Sequence, residues 1–77
     1  MLAAINSKHQ KMVDKAIQNL IKYSHHNDLR DTASDTDNTR MYATQDKLCE
    51  KYFDKYLEIA AELPQREVDN IENSKYY

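Results

Sequence analysis

Residues 39–63 read TRMYATQDKLCEKYFDKYLEIAAEL, and this stretch decides the fold. Met41, Leu48, Tyr52, Tyr56, Ile59 and Leu63 recur at nearly heptad spacing, and Cys49, Phe53, Leu57 and Ala60 broaden the stripe. That is the pattern of a helix with one apolar face, and no strand alternates this way. Asp37, Asn38 or Thr39 supplies the N-cap. Pro64 ends the helix, because proline disfavours α geometry in the residue before it. Away from the apolar stripe, Asp46, Glu50, Asp54, Glu58 and Glu62 form a ladder at four-residue steps, and Lys47, Lys51 and Lys55 form a second one beside it. Five stacked acids repel one another, so a basic partner would relieve them.

Upstream, Ile5, His9, Met12, Val13, Ala16, Ile17, Leu20 and Ile21 mark a first helix over about residues 3–24. Ser7 with Gln10 matches a capping box, which would move its start to residue 8. Lys8, Lys11, Lys15 and Lys22 share another face of this helix. Between the helices, residues 25–40 are rich in short Asp, Asn, Ser and Thr side chains that compete for backbone hydrogen bonds, which predicts a long polar loop. After Pro64, residues 64–74 predict a short third helix with Val68 and Ile71 turned inward. Tyr76 and Tyr77 form a tail.

The expected fold is therefore all-α, a single small domain in which an antiparallel two-helix hairpin carries a short third helix. It closes either as a three-helix unit or, paired with a copy of itself, as a dimeric four-helix bundle. At 77 residues a lone core is marginal, which favours the homodimer. The chain contains no glycine and one proline. Phosphate-cradling loops and nucleophile elbows are excluded on that ground.

Charge divides the chain. Residues 1–30 carry five bases against two acids, a net +3, whereas residues 31–77 carry six against eleven, a net −5. The lysine stripe of the first helix is the nearest candidate to neutralise the acid ladder of the second, within one chain or between two. Cys49 is the only cysteine, so no intramolecular disulfide forms, which points to a reducing, cytoplasmic setting. No apolar run is long enough to span a membrane.

Few residues suggest chemistry. His25 and His26 with Asp28 resemble a metal site that His9 or Asp31 would complete. The spacing of a metal motif is missing, and histidines near a helix C-terminus suit the dipole there. Asp31, Asp35 and Asp37 lack the glycine and closing glutamate of a calcium loop. Cys49 among Leu48, Tyr52 and Phe53 reads as an inert core thiol. No catalytic residue, metal or cofactor is expected, and the chain does not read as an enzyme. The expected function is a small intracellular adaptor, inhibitor or regulatory subunit that binds another protein or itself. Its surfaces would be Tyr42, Tyr52, Phe53 and Tyr56, tyrosine being favoured at interfaces, together with Asp46, Glu50, Asp54, Glu58 and Glu62. One alternative is nucleic-acid binding by Lys8, Lys11, Lys15 and Lys22. Another is an acidic nucleic-acid mimic that presents the acid ladder.

Overall fold

A computed structural model describes residues 2–74. A 3-10 turn at Ser7–His9 leads into α1 (Gln10–Asp35), α2 (Thr39–Glu62) and α3 (Gln65–Glu72), with no strand among the described residues. The two long helices pack as a hairpin and the short third helix closes one end. The described part measures 45 × 20 × 16 Å. None of its helices is long and apolar enough to cross a membrane. The terminal Tyr76 and Tyr77 lie outside the described residues.

The expected boundaries of the first helix and the loop are both corrected. The first helix begins at Gln10 rather than near residue 3, and it continues to Asp35. The expected loop over 25–40 shrinks to Thr36–Asn38. Short polar side chains are accommodated because they turn back onto their own helix. Thr32 Oγ1 donates to Asp28 O at 3.1 Å, and Thr36 Oγ1 donates to Thr32 O at 3.0 Å. Ala33 is also fully buried, so packing overrides the weak local propensity.

The turn replaces glycine with aspartate. Asp37 has φ 56°, the left-handed position that ends many helices. Asp37 N–H donates to Ser34 O at 3.2 Å and Asn38 N–H donates to Ala33 O at 2.9 Å, the paired bonds of a Schellman motif. Asn38 then caps α2, its Oδ1 accepting from Met41 N–H at 3.1 Å. A chain without glycine thus still makes a tight reversal, because aspartate tolerates this backbone better than other side chains do.

At the other end, residues 2–6 do not join the helix. The expected Ser7–Gln10 capping box is replaced by Asn6, whose Oδ1 accepts from Lys8 N–H at 3.0 Å. Gln10 instead holds the preceding strap: its Oε1 accepts from Ala4 N–H at 2.8 Å and its Nε2 donates to Leu2 O at 3.1 Å.

The core gathers at this closed end. Val13, Ala16, Ile17 and Leu20 of α1 pack with Tyr56 of α2, with Leu63 just after it, and with Val68 and Ile71 of α3; Leu2, Ala4, Met12, Ile59 and Ala60 surround them. Four expected core residues stand outside it: Ile5 is 57% exposed, Ile21 46%, Leu57 48% and Phe53 39%. The reason is geometric. Eight residues make α3 about 12 Å long, too short to cover Phe53 and Leu57, while Ile5 lies on the strap before the hairpin.

Asp37→Ala is expected to lower stability by about 1 kcal/mol, whereas Asp37→Gly leaves it unchanged or raises it. Urea denaturation midpoints of the two variants check this; equal loss in both would refute the left-handed cap.

Candidate functional site

One flank of the hairpin carries an apolar groove of about 320 Å³, lined by Leu20, Tyr23, Phe53, Tyr56, Leu57 and Glu72. The Tyr23 and Phe53 rings are 5.2 Å apart at 37°, and those of Phe53 and Tyr56 are 6.0 Å apart at 32°. Such tilted contacts suit the ring quadrupoles. Tyr56 is buried while its hydroxyl donates to Glu72 Oε1 at 3.5 Å. The floor is therefore fixed and the rim, Phe53 and Leu57, faces solvent.

The expected tyrosine surface is split by this arrangement. Phe53 and Tyr56 meet in the groove. Tyr52 lies on the other flank of α2, stacked on His26 with centroids 5.4 Å apart and planes 5° apart. Tyr42 sits by the hairpin turn beside Asp37, Asn38 and Thr39. Sequence reading missed Tyr23, although it lies three residues beyond Leu20 and hence on the same side of α1.

Within one chain the lysine stripe of α1 forms no ion pair with the acid ladder of α2 among the described residues. Among the described residues only Arg30 and Asp46 form an ion pair between the two long helices, at 2.8 Å. Arg30 also donates to Asn27 Oδ1 at 2.6 Å. Glu50, Asp54, Glu58 and Glu62 are exposed and stand in no ion pair among the described residues. Lys8, Lys11 and Lys15 are likewise exposed. Lys22 reaches Tyr52 instead, its Nζ 5.4 Å from the ring centre, and Lys51 and Lys55 approach the same ring at 5.6 and 5.8 Å.

His25 and His26 lie within α1, not on a loop or at its C-terminus. Their rings are 5.1 Å apart and edge-on, and His26 Nδ1 bonds Gln45 Oε1 at 2.7 Å. No group of three His, Cys, Asp or Glu side chains able to hold a metal occurs among the described residues. Of the three aspartates compared with a calcium loop, Asp31 and Asp35 are on α1 and Asp37 is in the turn. Cys49 is buried, and its thiol lies 4.0 Å from Tyr23 O. Burial pushes its pKa up, only partly opposed by the positive charge of Arg30.

The best-connected polar group is Glu67, 2% exposed, in the first turn of α3. Its Oε1 accepts from Ile5 N–H at 2.7 Å, and its Oε2 accepts from Asn6 N–H at 3.2 Å and from His9 Nδ1 at 3.1 Å. A cleft of about 570 Å³ opens beside it, lined by Ile5, Asn6, Ser7, His9, Pro64, Arg66 and Glu67. All three donors are spent on holding the strap and the 3-10 turn to α3, so the arrangement is a clamp. Burial raises the carboxyl pKa, but the bonds from Ile5, Asn6 and His9 together outweigh it and leave the pKa below its ordinary value.

Because Glu67 titrates lower folded than unfolded, its contribution is full above the unfolded value of about 4.3 and is lost as pH falls through the folded value. Glu67→Gln is expected to melt lower than wild type at pH 7, with the gap closing over that acid window. Melting curves from pH 7 to 3 test this; a constant gap would refute the clamp's ionic character. Cys49 is expected to react with a thiol reagent about tenfold or more slowly in the native protein than in denaturant. Equal rates would show that the thiol is open to solvent.

No family model, no curated protein and no solved structure matches this chain.

Proposed function

We propose that the protein is a small, non-enzymatic interaction protein that works by binding. Its primary surface is the groove between Leu20, Tyr23, Phe53, Tyr56 and Leu57, and a second copy occupies it to complete a four-helix bundle. The observation that carries this reading is the exposure of Phe53 and Leu57 on the rim of an otherwise packed aromatic cluster. A 77-residue chain has few large apolar side chains to bury, and leaving these outside costs it core. Paired in this way, the protein acts as an adaptor, inhibitor or regulatory subunit in a reducing, cytoplasmic setting, to which a lone buried thiol is suited.

Sedimentation equilibrium over a hundredfold range of concentration tests the pairing. Wild type is expected to shift from monomer to dimer, and Leu57→Glu to remain monomeric with unchanged helical circular dichroism. A wild-type chain that stays monomeric throughout would sink the reading, as would dimers that persist in Leu57→Glu.

A further inference from the structure

On the opposite flank of α2 from the groove, three ammonium groups converge on one aromatic ring. Lys22 of α1 and Lys51 and Lys55 of α2 all place Nζ within 5.8 Å of the Tyr52 ring centre. None of them is in an ion pair among the described residues. The face of the ring attracts cations, and His26 stacked on it fixes its orientation. Tyr52 thus gathers like charges that would otherwise spread apart. Three cations within reach of one ring, none of them paired with an acid among the described residues, raise the positive potential there.

We propose that this face is a binding site for the phosphodiester backbone of nucleic acid, with Lys22, Lys51 and Lys55 as its centre. Two features select that ligand. First, Lys11 and Lys15, both exposed, continue the row along α1 from Lys22. The eleven residues from Lys11 to Lys22 correspond to about 16 Å of helix, the reach of several consecutive phosphates rather than of one small anion. Second, the centre is built of lysine alone, which lacks the planar fork with which arginine holds one carboxylate or phosphate through two hydrogen bonds. Compact ammonium groups on flexible stems suit non-directional contact with phosphate oxygens, so sequence-independent binding is expected. The site differs from a simple lysine stripe on α1, because two of its three central residues come from the other helix.

Fluorescence anisotropy with a labelled single-stranded DNA of about twenty nucleotides tests the proposal at roughly 50 and 200 mM salt. Wild type is expected to bind at the lower salt and weaken steeply at the higher. The triple variant Lys22→Ala, Lys51→Ala, Lys55→Ala should bind at least about tenfold more weakly, with its logarithmic salt slope smaller by about 2. A variant with the same charge loss elsewhere, Arg40→Ala, Arg66→Ala, Lys75→Ala, should retain most of the affinity, and circular dichroism confirms that both fold. Absence of binding by wild type would overturn the proposal, as would equal loss in the two variants. A labelled polyglutamate peptide that bound as tightly as DNA would overturn the choice of nucleic acid and assign the face to an acidic protein.

Discussion

The carboxylate of Glu67 ties together parts of the chain that have little else to hold them. An eight-residue helix such as α3 is not stable alone, and neither is an extended strap of five residues. Glu67 gives each a reason to stay. It sits in the first turn of α3, where the helix dipole favours negative charge, and accepts backbone bonds from Ile5 and Asn6 and a side-chain bond from His9. Asn70 Nδ2, further along α3, donates to Ala3 O at 3.1 Å, and Gln10 grips the strap from α1. Leu2 and Ala4 are thereby laid against the core, and Val68 and Ile71 close over Val13 and Ile17. A buried charge is costly unless its acceptor sites are filled; here three donors fill them, and the apolar end of the hairpin is sealed as a result.

The hairpin is therefore held differently at its two ends. At the closed end, burial of aliphatic side chains dominates. Toward the turn, Ala33 and Cys49 are the buried apolar residues, and specific polar contacts replace mass: His26 to Gln45, Arg30 to Asp46 and to Asn27. Such contacts contribute little each, but those of His26 with Gln45 and Arg30 with Asp46 cross between the helices and fix their register. A segment with few buried contacts opens more readily than a packed one, so fluctuations should begin at the turn and leave the core intact.

The all-α hairpin and its short third helix were legible because their signals are periodic: the apolar stripe of α2, the Pro64 break and the Val68–Ile71 pair. The second half of α1 was not legible. Its polar residues carry a loop-like composition, and what makes them helical is a partner helix fifteen to twenty residues away in sequence, as in His26 with Gln45. The turn was not legible because it contains no glycine, and Asp37 adopts the left-handed backbone in its place. Of the site residues, Phe53 and Tyr56 were found through their spacing, whereas Tyr23 is an isolated aromatic whose role depends on the crossing of α1 and α2. Glu67 offered only the weak hint of an acid in the first turn after a proline. The convergence of Lys22 with Lys51 and Lys55 joins two helices that no single-helix pattern connects.

Both surfaces of α2 follow from how narrow a two-helix contact is. Its buried residues Cys49 and Tyr56, with Leu63 at its cap, fall seven residues apart, with the half-buried Gln45, Tyr52 and Ile59 between them. Met41 and Leu48 of the expected seam are half-buried as well, so the seam is narrow and close to a heptad pattern. A seam this thin cannot cover every apolar side chain on the helix. Phe53 falls to one side of it and is left facing a groove that α3 is too short to fill. Tyr52, at the opposite edge of the seam, is half-covered by His26 and has lysines of both helices around its ring. One helix thus presents an apolar flank and, across its own buried line, a flank on which lysines gather around Tyr52. A partner seated on the first would leave the second open to solvent.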